Sequence, residues 1–235
     1  MKLAGLQKLT LLDFPGHTAC TVFLAGCNMR CPFCHNAELF GGKVEEVMST
    51  DAFLKFLATR QGLLDGVCVS GGEPTGDPQL PQLLRAIKDL GFQVKLDTNG
   101  SRPEILKKLL EENLVDYVAM DVKNSPSRYG QTVGLDRFDM TPIEESLRLL
   151  IAGSTPYELR TTVVQQLHDE ASIEEMGRWL STLVPGVLPK KLFLQKFVDR
   201  DTVVYSGLCA PEENALKRFV DTLAPYVEKI AIRGE

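Results

Sequence analysis

Hydrophobic and polar residues alternate along the chain in two kinds of segment. Short apolar runs, such as Thr18 to Leu24 and Val67 to Ser70, indicate buried strands. Between the runs lie stretches with apolar residues at helical spacing, the clearest being Leu80, Leu83, Leu84, Ile87 and Leu90. The same reasoning predicts strands at residues 93–96, 117–122, 159–164, 192–194 and 227–232, and helices that begin near residues 50, 101, 141, 172 and 211.

This alternation amounts to about six βα units at regular spacing, which is typical of a parallel sheet with helices outside it. Right-handed crossovers then leave two architectures, an open doubly wound sheet and a full or partial barrel. Periodicity does not choose between them. We find no internal repeat and no linker, so we predict one domain over residues 1–235.

Local signals refine some of these elements. Ser101 with Glu104, and Ser172 with Glu175, have the spacing of a helix capping box. Gly41-Gly42, followed by the acidic pair Glu45-Glu46, indicates an exposed excursion of the chain.

Three of the six cysteines lie within eight residues, directly after the first predicted strand. Cys27, Cys31 and Cys34 have C-x3-C-x2-C spacing. They therefore follow the C-terminal end of a strand, where parallel α/β folds carry their chemistry. Thiolates are soft ligands, so three on one loop favour zinc or an iron–sulfur cluster.

Zinc requires a fourth ligand, and the sequence offers a poor one. His35 is adjacent to Cys34, which makes joint chelation of one ion awkward. Cys20 and Cys68 lie in apolar runs and are predicted core residues. Cys209 stands alone in a loop, and the sequence has no second C-x2-C pair. The spacing therefore favours a cubane cluster held by three thiolates, with one iron open to a small molecule.

Charge and composition exclude some classes of partner and place the chain in a compartment. The 235 residues carry a formal net charge of −5, so we expect no nucleic-acid partner. No apolar run is long enough to cross a bilayer, and no N-terminal targeting signal is evident, so we expect no membrane association. Six cysteines, half of them clustered, do not form the pattern of a secreted disulfide framework. We therefore expect a cytoplasmic protein.

Further polar groups follow the other predicted strands. In a parallel α/β fold these positions share one face with the cysteines. Each group alone is an ordinary turn or structural pair, but their coincidence on one face indicates a site. The groups are Gly71-Gly72-Glu73, Asp97-Thr98-Asn99, Asp121 with Lys123, and Arg160.

These motifs resemble those of a known family. The cysteine motif with Phe33 before its third cysteine, followed by Gly71-Gly72-Glu73-Pro74, resembles the radical S-adenosylmethionine (SAM) superfamily. Asp97-Thr98-Asn99-Gly100 and Asp121-x-Lys123 are similar to those of glycyl-radical-enzyme activases such as pyruvate formate-lyase activating enzyme. The opening segment from Gly5 through Gly16, continued to Cys34-His35-Asn36, is similar to activating proteins of anaerobic ribonucleoside-triphosphate reductase.

The resemblance implies a fold and a set of binding residues. The fold would be a partial (β/α)6 TIM-like barrel of parallel strands. Cys27, Cys31 and Cys34 would hold a [4Fe-4S] cluster, and Gly71-Gly72-Glu73 would receive the SAM ammonium. The other implied SAM-binding residues are Phe33 and His35 near the adenine, Asp97, Thr98 and Asn99, and Lys123 and Arg160 at the ribose and carboxylate end. Asp97, Thr98 and Asp121 would form a site for a monovalent cation.

The implied activity is reductive cleavage of SAM to a 5′-deoxyadenosyl radical, which abstracts a hydrogen atom from a glycine of a partner enzyme. The implied partner is a glycyl radical enzyme, anaerobic ribonucleotide reductase, and flavodoxin or ferredoxin would be the reductant. Two alternatives remain open. One is a radical SAM enzyme acting on a small molecule or peptide, and the other is a non-catalytic iron–sulfur electron-transfer protein.

Overall fold

The computed structural model describes residues 1–40 and 44–233. Their contacts divide the chain into two compact units. The first comprises Met1–Asn28 with Glu38–Ala119, and the second comprises Met29–Ala37 with Met120–Glu235. The single domain predicted over residues 1–235 stays a prediction. The predicted excursion at Gly41-Gly42 lies outside the described residues.

The first unit is built on parallel strands with helices between them. Its strands are β1 (Leu3–Thr10), β2 (Ala19–Leu24), β3 (Gly66–Gly71) and β4 (Gln93–Thr98), and its helices are α1 (Thr50–Ala58), α2 (Leu80–Asp89) and α3 (Pro103–Glu111). The strands lie in chain order. β2 is parallel to β3 and β3 to β4, whereas β1 pairs antiparallel with β2. Of the strand β5 (Tyr117–Asp121), the residues up to Ala119 belong to the first unit and the last two belong to the second.

The second unit repeats the βα pattern. Its strands β6 (Tyr157–Val163), β7 (Leu192–Lys196) and β8 (Ile230–Arg233) are parallel neighbours in chain order. The helices are the short α4 (Tyr129–Thr132), α5 (Thr141–Ala152), α6 (Glu170–Thr182) and α7 (Glu213–Leu223). Within the described residues, no helix combines the length and the apolar character needed to cross a membrane.

The apolar runs became strands because both faces of a parallel strand are covered. All of β2 except Phe23 is buried, and in β3 the residues from Gly66 to Val69 are buried. Cys20 and Cys68 are fully buried within these strands, which confirms their prediction as core residues. β1 was not predicted as a strand, because its middle residues are half-buried or exposed and an antiparallel edge position does not require a continuous apolar run.

Both predicted capping boxes were wrong in detail. The N-cap of α3 is Arg102, and no side chain caps this helix. Ser101 lies one residue before the N-cap position, and its hydroxyl accepts a hydrogen bond from the Asn28 side chain at 2.9 Å. At α6 the N-cap is Asp169, whose carboxylate accepts from the Ser172 backbone N–H, so Ser172 is the third helical residue of the box.

We predict that Asp169→Ala lowers the free energy of unfolding by about 1 kcal/mol at neutral pH, because it removes the N-cap of α6. The Ser172 N–H, together with Arg128, lowers the pKa of Asp169. A carboxylate with a lowered pKa stabilises the fold above its ordinary pKa, so the difference between wild type and variant should shrink as the pH falls through the acid range. Urea unfolding at several pH values measures this.

The control is Asp221→Ala, which changes an exposed aspartate within α7. We expect a change within about 0.5 kcal/mol there. An Asp169→Ala effect no larger than the control would contradict the capping role.

Candidate functional site

In the first unit, the turn Gly71-Gly72-Glu73 lies directly on the backbone that leaves β2. Gly72 N–H donates to the Leu24 carbonyl at 2.9 Å, and Glu73 N–H donates to the Gly26 carbonyl at 2.7 Å. A Cβ on Gly71 would lie 2.2 Å from the Leu24 oxygen, and one on Gly72 would lie 2.0 Å from the Gly26 oxygen. Only glycine permits two backbones to approach this closely.

The carboxylate of Glu73 is buried and fully engaged. Glu73 is only 4% exposed. One oxygen accepts from the Thr75 N–H and hydroxyl and from the Thr98 hydroxyl, and the other accepts from the Asn99 N–H at 2.6 Å. Burial raises the pKa of Glu73, and these hydrogen bonds oppose the rise. Glu73 therefore ties the end of β3 to the end of β4.

Asn99 extends this network to the cysteine loop. Its side-chain N–H group donates to the Asn28 side-chain oxygen at 3.0 Å and lies 4.0 Å from the Cys27 sulfur. Its oxygen accepts from the Ser101 N–H, and Asn28 donates in turn to the Ser101 hydroxyl. Sequence reasoning identified Asn99 but missed Asn28 and Ser101. The sequence signal that could have identified Asn28 is its position directly after Cys27, inside the cysteine motif.

A cavity of about 290 Å³ opens beside Cys27. Its lining includes Glu73 and the glycine-containing segment from Ala25 to Asn28, and Asp77 and Arg102 complete its charged groups. The first unit thus places Cys27, Glu73 and Asn28, the hydrogen-bond partner of Asn99, around one open space.

Asp97 and Thr98, also in the first unit, are held by neighbouring side chains. One carboxylate oxygen of Asp97 lies 3.3 Å from the Lys95 ammonium, and the other accepts from the Ser70 hydroxyl at 3.2 Å. The Thr98 hydroxyl donates to Glu73 and accepts from the Gly100 N–H. Lys95 was missed because a lysine in a strand pattern is usually read as exposed.

In the second unit, Cys31 lies against an apolar cluster. Phe33 forms a buried cluster with Val164 and Phe197, and Cys31 packs against that cluster. Cys34 N–H donates to the Cys31 carbonyl at 3.2 Å, which closes a turn between the two thiols. Burial raises the pKa of the Cys34 thiol, and the nearby Lys123 charge opposes this.

Asp121, Lys123 and Arg160 form one ion cluster in the second unit. The Asp121 carboxylate accepts from Lys123 at 2.7 Å through one oxygen and from the Arg160 Nε at 3.0 Å through the other. Burial alone would raise the pKa of Asp121, but the two cations outweigh it and lower this pKa to about 2. Asp121 in turn raises the pKa of Lys123 against the effect of burial. The Lys123 ammonium also lies 6.0 Å from the centre of the Phe33 ring.

Two further residues of the second unit fix the segment that carries Lys123. A ring nitrogen of the buried His168 lies 2.9 Å from the Lys123 carbonyl oxygen. The Asn124 side chain donates to the Thr132 hydroxyl and to the Leu167 carbonyl. His35 stacks on Phe197 with ring centres 5.7 Å apart, and its Nε2 lies 2.7 Å from the Val198 carbonyl oxygen. Sequence reasoning found no role for His168, because its contacts depend on the tertiary fold.

No group of three His, Cys, Asp or Glu side chains in residues 1–40 and 44–233 is gathered as a metal site. The assignment of Cys27, Cys31 and Cys34 as ligands therefore remains a prediction from their spacing. The residues present nevertheless fit a thiolate-bound cluster with a small organic ligand. None of the six cysteines, all within the described residues, forms a disulfide. In the first unit, Cys27 and Glu73 line an open cavity, and in the second unit Lys123 provides positive charge near the Cys34 thiol.

Comparisons with known proteins agree with this chemistry. Residues 21–180 match the model of the Radical SAM superfamily. A Methanocaldococcus jannaschii protein named "Putative glycyl-radical enzyme activating enzyme" is 31% identical, over 98% of this chain and 95% of that protein. The pyruvate formate-lyase-activating enzyme of Streptococcus mutans is 29% identical, over 77% of this chain and 74% of its own. The chain spans about half the length of several other relatives.

A solved structure shows the same fold. The radical SAM methyltransferase from Sphaerobacter thermophilus superposes with a TM-score of 0.73 at 16% identity, over 96% of this chain and 68% of that one. This likeness confirms the predicted fold class, an α/β fold of mostly parallel strands of the partial-barrel type.

The chain belongs to the radical SAM superfamily. It is an enzyme of that class, related to the glycyl-radical-enzyme activating enzymes. Its cofactors are those of the superfamily, a [4Fe-4S] cluster and SAM. The predicted family and these two cofactors are thereby confirmed, whereas the individual binding residues remain predictions.

We predict that Gly72→Ala destabilises the protein by about 1–3 kcal/mol, because the new Cβ would meet the Gly26 carbonyl and must displace it. The displacement would also weaken the hydrogen bond from Glu73 N–H to that carbonyl. Urea unfolding measures the free energy.

Gly76→Ala is the matched control, since no atom lies within 4 Å of a Cβ built there. Its effect should stay within about 0.5 kcal/mol. Equal stability of the two variants would show that the turn can relax and that the glycine at residue 72 is not required sterically.

Proposed function

We propose that this enzyme cleaves SAM reductively and uses the resulting radical to install a glycyl radical on a partner enzyme, anaerobic ribonucleotide reductase. The observation that carries the activase assignment is the match, along almost its whole length, to the M. jannaschii protein. The proposal of the reductase as partner is supported by the resemblance of the segment from Gly5 to Gly16.

The cluster ligands in this proposal are Cys27, Cys31 and Cys34. The chemistry that the bound cluster supplies is one-electron reduction of the SAM sulfonium, which releases methionine and the 5′-deoxyadenosyl radical. The chain's own residues bind, orient and shield. The apolar cluster of Phe33, Val164 and Phe197 keeps water from the side of Cys31 that packs against it.

We assign SAM binding to Phe33, His35, Gly71, Gly72, Asn99, Lys123 and Arg160, with Glu73, Asp97 and Thr98 in support. Glu73 acts through its neighbours, because its carboxylate is already occupied by four donors from the chain. It holds the glycine turn and Asn99 in place beside the cavity at Cys27. Lys123 and Arg160 carry the positive charge suited to the carboxylate of SAM, although both also bind Asp121.

The proposal of a protein substrate is supported by exposed apolar side chains at the end of β1 and directly after it. Leu9, Leu11 and Leu12 are 58%, 70% and 87% exposed. We propose that these three leucines, which lie within four consecutive residues, contact the protein substrate. We further propose flavodoxin or ferredoxin as the electron donor and the cytoplasm as the compartment, in keeping with six cysteines that form no disulfide in the described structure.

We predict that Cys31→Ala loses bound iron and 5′-deoxyadenosine release together, because two thiolates do not hold a cubane cluster stably. Cys209→Ala, which changes an exposed cysteine outside the motif, is the matched control and should keep both. Iron content and product release after anaerobic reconstitution with dithionite and SAM measure the effect. Full iron content and product release in Cys31→Ala would overturn the ligand assignment.

We also predict that the reconstituted protein, given SAM and reduced flavodoxin, generates a glycyl radical in anaerobic ribonucleotide reductase, detected by electron paramagnetic resonance. Pyruvate formate-lyase is the comparison partner. A radical formed in pyruvate formate-lyase alone would support the activase function and would overturn the assignment of the reductase as partner. Release of 5′-deoxyadenosine without a radical in either partner would favour a small-molecule or peptide substrate.

A further inference from the structure

The three residues that the family resemblance implies for a monovalent cation all have partners from the chain itself. In the first unit, Asp97 lies beside the Lys95 ammonium and accepts from Ser70, and the Thr98 hydroxyl is bonded to Glu73. In the second unit, both oxygens of Asp121 accept from the cations Lys123 and Arg160. Each carboxylate of the set therefore already has a positive charge next to it.

Lys95 is the unusual member of this arrangement. It lies inside β4, opposite Cys68 of β3, and its side chain is 2% exposed, whereas that of Asp97 is 16% exposed. The ammonium also donates to the backbone carbonyl of Asp13. The side-chain carboxylate of Asp13 accepts from the Thr21 hydroxyl at 2.5 Å. A buried ammonium is costly unless it is paired and hydrogen-bonded, and here both conditions are met.

An ammonium group carries the same single charge as K⁺ or Na⁺, and oxygen atoms are the natural partners of all three. The Lys95 ammonium lies 3.3 Å from the Asp97 carboxylate oxygen, which is an ion pair without the geometry of a hydrogen bond. In a poorly hydrated setting this attraction is much stronger than the same contact in water. The lysine also costs no translational entropy when it arrives at the carboxylate, unlike an ion from solution.

We propose that the Lys95 ammonium supplies to Asp97 the positive charge that a bound monovalent cation would otherwise supply. The protein consequently requires no added K⁺ or Na⁺. The proposal concerns charge compensation within the first unit and does not depend on which partner enzyme is activated.

The first experiment uses the reconstituted full chain. SAM affinity and the thermal unfolding midpoint are measured in KCl, NaCl and choline chloride at equal ionic strength. We expect the same values in all three salts. A saturable rise in SAM affinity of about fivefold or more in KCl or NaCl would show a coupled cation site and overturn the proposal.

The second experiment uses Lys95→Met, which leaves Asp97 without its ammonium. We expect this variant to gain a dependence on K⁺ or Na⁺, with a higher midpoint and tighter SAM binding than in choline chloride. Absence of any gain would also overturn the proposal, since a small cation could not then replace the lysine. Should the variant not fold, the wild-type salt comparison alone decides.

Lys88→Met is the matched control for the loss of a paired lysine. The Lys88 ammonium lies 2.7 Å from the Asp116 carboxylate, but the two side chains are 29% and 32% exposed. Water can therefore solvate Asp116 when the lysine is removed, and we expect no difference among the three salts. A cation-specific response in this control equal to that of Lys95→Met would mean that the effect is general and would reject the assignment to Asp97.

Discussion

The buried carboxylate of Glu73 is the interaction on which the first unit's part of the site depends. An ionised carboxylate removed from water must find donors inside the protein, and Glu73 finds four of them on Thr75, Thr98 and Asn99. The bonds to Thr98 and Asn99 join the end of β4 to the end of β3. Asn99 then positions Asn28 beside Cys27. The acidic residue of the glycine motif is therefore best understood as a structural centre that orients its neighbours.

The acidic side chains assigned to the site are stabilised in the same way in both units. Each acidic side chain that sequence analysis assigned to the site is compensated by groups of the chain itself. Glu73 uses hydrogen-bond donors, Asp97 uses Lys95 and Ser70, and Asp121 uses Lys123 and Arg160. Such compensation fixes the geometry in advance, so that little reorganisation is needed when a charged ligand arrives.

The sequence predicted the strands that are buried on both faces, because a short continuous apolar run is compatible with few other structures. β1 was not predicted because an edge strand needs no such run. At α6 the predicted cap Ser172 yields to the nearby Asp169, whereas at α3 the predicted cap Ser101 has a distant partner. Ser101 is adjacent to the start of α3, yet its hydroxyl bonds to Asn28, which is 73 residues away in the chain. For the same reason the motifs identified Glu73, Asn99 and Asp121, whereas Asn28, Lys95 and His168 required the tertiary structure.

The pair formed by Lys95 and Asp97 has a consequence for how such chains are read. Side chains two residues apart on a strand point to the same face, so a lysine placed two positions before the aspartate is delivered to it by strand geometry alone. No loop conformation and no distant partner is needed. A lysine–x–aspartate pattern at the end of a parallel strand therefore places a lysine on the same face as the aspartate, and the burial of both side chains in the tertiary structure makes that lysine an internal counter-ion.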